Sequence, residues 1–266
     1  MQKKKIIVII LTVLMFLSAS VLGVSAVYRV ADVTVNAPVV SLEARAEAME
    51  LQRRLLLAYQ QDSTLFANPE KAENVVAEFP YFRLKTFKKD YPDRLIIEVQ
   101  EDEEVYAVPV SGTENLYYVL NREGTVLCTR GNIANRSDGE NNVLLTGDTR
   151  FNVVGEKGKP LSGDGCLQDL FAFCMQVENL LNGMRRNVVQ VEVRRPTVDE
   201  TVFVLYMREG VKIYVRNPSA LTLEKANRAV EAYFALDVPN RLTGFLAVYG
   251  DDEVRCQYYY DDSFLN

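Results

Sequence analysis

A charge-free run near the start of the chain limits what that part can become. From Ile6 to Tyr28 no residue is charged, and Lys3, Lys4 and Lys5 stand immediately before it. As a helix rising ~1.5 Å per residue, the run reaches about 34 Å, enough to cross a hydrocarbon core of ~30 Å. Amides inside lipid have no water to bond to, so such a run has to be helical. Lysines on its N-terminal side predict a cytoplasmic start and an extracytoplasmic remainder. The same residues also suit a cleaved leader. The strongly apolar part ends at Leu17, and Val24-Ser25-Ala26 offers the small residues a signal peptidase needs. Both readings place the rest outside the cytoplasm.

Charge and composition narrow the function classes. All 36 acidic residues lie beyond the apolar run, while three of the 30 basic residues precede it. The displayed part is therefore net acidic, which works against binding nucleic acid or anionic lipid. There is no histidine. Imidazole-based acid–base work, nucleophilic triads and the usual zinc sites are thus excluded in their common forms. Hydrolysis by a pair of carboxylates stays open. The four cysteines, Cys128, Cys166, Cys174 and Cys256, show no CxxC spacing. Cys166 and Cys174 would sit about 12 Å apart along one helix, beyond the ~7 Å a disulfide tolerates. The sequence leaves a Cys128–Cys256 bridge open.

Periodicity then sets out the elements. Val30 to Val35 alternates like a strand. Ser41 reads as the N-cap of a helix with Ala48, Leu51, Leu55 and Ala58 as its apolar stripe. Asn68-Pro69-Glu70 opens a second helix, with Ala72, Val75, Val76 and Phe79 facing inward. Phe82 to Lys88 alternates again, placing Phe82, Leu84, Thr86 and Lys88 on one face. Leu95 to Val99 is rich in branched residues and reads as a strand. The order over residues 29–101 is β-α-α-β-β. Glu101 to Glu104 then predicts a solvated junction, since consecutive carboxylates on extended chain face opposite ways.

Residues 102–260 predict a larger, mainly β region with two helices. Short strands are expected at Val105–Val110, Tyr117–Leu120 and Thr125–Leu127, and a polar surface loop over Gly131–Asn142. Val143–Leu145 is a further short apolar segment, and Gly155–Gly165 reads as flexible. One helix spans Gln168–Leu181, and Thr222 caps another reaching about Phe234. Strands fill Val188–Val193, Val202–Met207 and Val211–Val215. Phe245–Tyr249 and Val254–Tyr260 close the region as a hairpin, with a short tail over 261–266. No phosphate-loop frame or tandem repeat occurs.

This order of elements resembles the FtsQ/DivIB family of bacterial cell-division proteins. The best local match runs through Phe79-Pro80-Tyr81-Phe82, Lys88-Lys89, Tyr91-Pro92-Asp93-Arg94-Leu95, Ile97, Val99 and Glu101. Tyr118-Val119-Leu120 with Glu123-Gly124-Thr125-Val126, Leu144-Leu145-Thr146-Gly147, Gly210-Val211, Leu223, Lys225 and Gly244 are similar to later family segments. Asp102 stands where the family often has arginine. The resemblance implies an α+β chain: a cytoplasmic tail (1–5), a single transmembrane helix (6–28), a POTRA domain (29–101) and a β domain (102–260). It implies retention of the anchor, with Lys3, Lys4 and Lys5 setting topology, and a place in the cell membrane at the division septum.

Functionally the resemblance implies a scaffold rather than an enzyme, with no cofactor, metal or catalytic residue. Its expected partners are FtsL-like and FtsB/DivIC-like single-pass coiled-coil proteins, and through them the septal peptidoglycan synthase. The family's last strand accepts a partner strand, which carries over to Val254, Arg255, Cys256, Gln257, Tyr258, Tyr259 and Tyr260. Val254, Cys256, Tyr258 and Tyr260 alternate with Arg255, Gln257 and Tyr259, so one set should face the core and the other solvent or a partner. The alternatives are a POTRA-containing protein of polypeptide secretion, or an extracellular glycosidase.

Overall fold

A computed structural model describes residues 12–16, 23, 27–39, 42–163 and 165–261. It divides into two compact units, residues 1–102 and 103–266. Lys3, Lys4, Lys5, the Ser41 cap and residues 262–266 lie outside the described residues.

The expectation for the start of the chain is corrected. Among the described residues no helix is long and apolar enough to cross a membrane. Of the run from Ile6 to Tyr28, only 12–16, 23, 27 and 28 are described. The fold is therefore α+β with mixed sheets and no membrane-spanning helix among the described residues. The single-pass placement in a cell membrane falls with that helix.

Among the described residues the first unit holds a three-stranded sheet and, beyond residue 28, two helices that pack with it. β1 (Asp32–Asn36) runs parallel to β3 (Arg94–Glu101), which pairs antiparallel with β2 (Phe82–Asp90), giving the order β1-β3-β2. Helix α1 (Leu42–Tyr59) buries Ala44, Leu51, Leu55 and Tyr59, spaced to share one face. Helix α2 (Pro69–Ala77) starts as its sequence dictates. Asn68 is extended and its side chain accepts from the Glu70 amide at 3.1 Å, with Pro69 in the first turn. The core includes Val33, Leu95, Ile97 and Val99 from the sheet, all at most 2% exposed.

Simple alternation fails in β2. The register shifts between Leu84 and Thr86, so Leu84 lies opposite Val99 and Phe87 opposite Ile97. One extra residue thus returns Phe87 to the inner face, where its ring meets Tyr59 at 5.8 Å.

The second unit holds a nine-stranded mixed sheet in the order β14-β13-β12-β11-β10-β7-β4-β5-β6. Its strands are β4 (Tyr106–Pro109), β5 (Tyr117–Leu120), β6 (Val126–Arg130), β7 (Val143–Gly147), β10 (Val188–Arg194), β11 (Val202–Met207), β12 (Lys212–Arg216), β13 (Phe245–Tyr249) and β14 (Arg255–Tyr259). The segment expected to be flexible carries a small ladder, β8 (Val153–Val154) with β9 (Ser162–Gly163). Among the described residues there are four helical segments where two were expected: α3 (Leu167–Leu181), α4 (Met184–Asn187), α5 (Thr222–Ala235) and α6 (Val238–Arg241). Thr222 is the first residue of α5 and not its cap. Leu221 holds that place in the left-handed region at φ 60°.

Helices α3 and α5 cover one face of this sheet. Leu170, Phe173, Val177, Ala226, Ala229 and Val230 meet Val191, Phe203, Leu205, Ile213 and Val248 in a single core. Phe173 and Phe203 touch edge-on at 5.7 Å. Each such large apolar side chain contributes roughly 1.5–3 kcal/mol on burial.

The acidic run at 101–104 is also corrected. Glu101, Asp102 and Glu104 are buried, not solvated. Distant cations compensate: the Arg83 guanidinium lies 2.6 Å from Asp102 and that of Arg130 2.5 Å from Glu104. Glu104 also accepts from the Arg136 amide at 3.0 Å and from Asn142 at 3.3 Å, and its carbonyl accepts from Asn135 at 2.7 Å. The supposed surface loop over 131–142 is thereby pinned through buried Asn135 and Asn142.

Candidate functional site

The last hairpin places β14 at the end of the nine-stranded sheet. Among the described residues β14 pairs with β13 alone, Phe245 opposite Tyr259 through Tyr249 opposite Arg255. No strand among the described residues pairs with its other edge, which is about 17 Å long at ~3.3 Å per residue. Two glycines shape the hairpin. Gly250 turns at φ 101°, and a Cβ there would lie 2.1 Å from the Glu253 carbonyl oxygen. Gly244, at φ 74°, brings the start of β13 so close that a Cβ would meet the Tyr259 carbonyl oxygen at 2.4 Å.

The expected division of β14 into two sets is largely what the structure shows. Val254, Cys256 and Tyr258 pack half-buried against the main core. Tyr260 departs from that set: it is 76% exposed, its ring edge-on to Tyr258 at 5.2 Å. The Tyr258 hydroxyl donates to the Thr243 carbonyl at 3.1 Å. On the opposite face Arg255 and Gln257 are exposed, while Tyr259 stacks on Phe245. Burial pushes the Cys256 thiol up to about 11, so it stays protonated and behaves as a small apolar side chain. None of the four cysteines is joined in a disulfide.

Beside the edge lies the helix-free face of the sheet. Val202, Val204, Tyr214, Phe245 and Ala247 form a second apolar cluster there, flanked by Tyr206, Tyr249 and Tyr259. Long polar side chains lie over it. The Tyr206 hydroxyl donates to Glu192 at 2.5 Å, Arg194 donates to the same carboxylate at 2.8 Å, and the Arg194 guanidinium sits 5.9 Å from the centre of the Tyr214 ring. Arg194, Arg195, Arg216, Tyr214, Tyr249 and Tyr259 line a groove on this face that runs up to β14. Tyr259 apart, the sequence pattern marked none of these groove residues. Folding the hairpin symmetrically about its turn would have placed Phe245 against Tyr259, but Arg194 and Tyr214 come from strands whose order no local signal fixes.

Two other sheet edges, those of β6 and β2, carry features that cover or defend them. β6 is covered where it begins: the Val126 amide donates to the Lys159 carbonyl at 2.9 Å, and the Gly158 amide to the Val126 carbonyl at 2.8 Å. In the first unit β2 carries a register shift and the basic residues Arg83, Lys85, Lys88 and Lys89, features that defend an edge. β14 has no proline, no lysine and no register shift. Among the described residues no group of three or more His, Cys, Asp or Glu side chains is arranged to hold a metal.

No known family model matches the chain, and no curated protein matches it.

Proposed function

We propose that this protein is a division scaffold of the FtsQ/DivIB kind, which binds small coiled-coil partners of the FtsL and FtsB/DivIC type by accepting a strand at β14, and so helps control septal peptidoglycan synthesis. The observation that carries the reading is the one-sided pairing of β14 at the end of the large sheet. An extended partner segment laid along it gains main-chain hydrogen bonds, and its alternate side chains meet Cys256 and Tyr258 on one face and Arg255, Gln257 and Tyr259 on the other. The residue-level resemblance through Tyr91-Pro92-Asp93-Arg94-Leu95 and Leu144-Leu145-Thr146-Gly147 supports the choice of partner class. Strand addition at the first unit, as a secretion protein would use it, is disfavoured by the lysines and the bulge on β2.

Photo-crosslinking amino acids at Arg255, Gln257 and Tyr259, one at a time, in the full chain in dividing cells provide the test. Capture of a small coiled-coil division protein from these positions, and not from Val154 on β8, is the expected result. No capture, together with normal division when Gln257→Asp and Tyr259→Asp are combined, would remove the reading.

A further inference from the structure

Lys225 is the one lysine among the described residues whose side chain is fully buried, at 0% exposure, and it points out of the core toward the open end of the sheet. Its ammonium donates to the Arg216 carbonyl at 2.9 Å, to the Asn217 carbonyl at 2.8 Å and to the Asp251 carboxylate at 3.1 Å. An ammonium has three hydrogens, and three acceptors are here to take them. The acceptors do not come from one place. Arg216 ends β12, and Asn217 follows it in the left-handed region at φ 45°. Asp251 lies in the turn between β13 and β14. β13 runs between β12 and β14 in the sheet. One helical side chain thus bridges over the end of β13 and ties its two neighbours together.

We propose that Lys225 is a positioning residue for the docking edge: through Asp251 it fixes the tip of the β13–β14 hairpin, and hence the line along which β14 offers its backbone. This rests on the reading of β14 as the docking strand. A buried cation adds little to stability compared with an apolar side chain of similar volume, so core filling alone does not account for a lysine here. Direction does. Among the described residues β14 pairs with a strand on one side only, and its inward side chains Cys256 and Tyr258 are just half-buried. Asp251 also takes a side-chain hydrogen bond from Asn217, whereas Glu253 pairs with its near neighbour Arg255 at 3.0 Å, a contact that stays within the hairpin. The link from Asp251 to Lys225 reaches outside it. The Asp251 carboxyl is held below its usual range by the Lys225 hydrogen bond and charge, so it is ionised at neutral pH.

The test uses the full chain with Asp251→Ala, which removes the exposed partner without touching the core, and Lys225→Met, which removes the buried one. Amide exchange is followed in β14 and, as an internal reference, in central strand β11. Exchange across 251–259 is expected to speed up about tenfold in Asp251→Ala while β11 is unchanged, the local loss of one hydrogen bond to a charged group. Lys225→Met should show the same selectivity, with a larger effect. In cells, capture of the partner by a benzophenone side chain at position 257 should fall severalfold in both variants. Exchange in β14 that rises no more than in β11, or undiminished capture in Asp251→Ala, overturns the proposal. If the unmodified protein captures nothing from position 257, the docking reading fails by itself, and the exchange comparison still decides whether Lys225 positions the hairpin.

Discussion

The rings of Phe245 and Tyr259 stack at 5.0 Å with their planes 16° apart, across the rung where the two residues are paired. This contact fastens the end of the outermost strand to the sheet from the helix-free side. Tyr259→Ala should cost about 1–2 kcal/mol in a urea titration, from lost apolar area and the ring pair. Tyr259→Phe should cost less than about 0.5 kcal/mol, since stacking survives. A partner reading the hydroxyl would separate the two by affinity and not by stability.

Gly244 gives a stricter test of the same hairpin. Its φ of 74° and the 2.4 Å approach of a Cβ to the Tyr259 carbonyl leave no room for a side chain. Gly244→Ala should lower stability by roughly 1–3 kcal/mol or more, and thermal unfolding would show it. Gly112, also at positive φ but with nothing near its Cβ, is the control for backbone strain alone.

Glu104 should prove costly to remove. It is 1% exposed and satisfies Arg130, the Arg136 amide and Asn142 together. Glu104→Ala leaves the Arg130 guanidinium without its carboxylate and is expected to cost about 3–5 kcal/mol by chemical denaturation. The added amide exchange should fall mainly in residues 131–142.

The Glu192–Tyr206 pair predicts pH effects of opposite origin. Burial opposes ionisation of Glu192, but hydrogen bonds from Arg194 and Tyr206 outweigh it and hold the carboxyl below its usual range. A lowered folded pKa adds stability that is present above the unfolded value, about 4.3, and fades as pH falls through the folded one. Burial, then the bond to Glu192, pushes Tyr206 up to about 12. A raised phenol contributes below its unfolded value of about 10 and loses that contribution between about 10 and 12. Tyr206→Phe should therefore flatten the alkaline limb of a stability-versus-pH curve by up to about 1.4 kcal/mol per pH unit, and Glu192→Gln should flatten the acid limb.

Cysteine reactivity should follow burial. Cys174 is fully buried and its thiol is pushed far up, so it should resist alkylation until the protein unfolds. Cys256, raised to about 11, should react at pH 8 roughly a hundredfold more slowly than a free thiol. Mass spectrometry after timed alkylation would rank the four sites.

Much of the fold was legible because local rules agree with the outcome. Asn68-Pro69 starts α2, branched residues make β3, and the turn at Gly250 makes the last hairpin. The misreadings have physical causes. The bulge near Lys85 inverts the alternation of β2 and is invisible to a period of two. The acids at 101–104 look solvated because their partners, Arg83 and Arg130, are distant in sequence. Leu221 enters the left-handed region at the start of α5, where residue preference favours Thr222. For the candidate site, the strand at 254–260 is legible in its alternating pattern, and Phe245 follows from the hairpin turn. Arg194 and Tyr214 depend on a strand order set by tertiary packing.

Because the opposite margin at β6 is occupied at its start by residues 158–159, a strand added to the large sheet there meets backbone that already has partners.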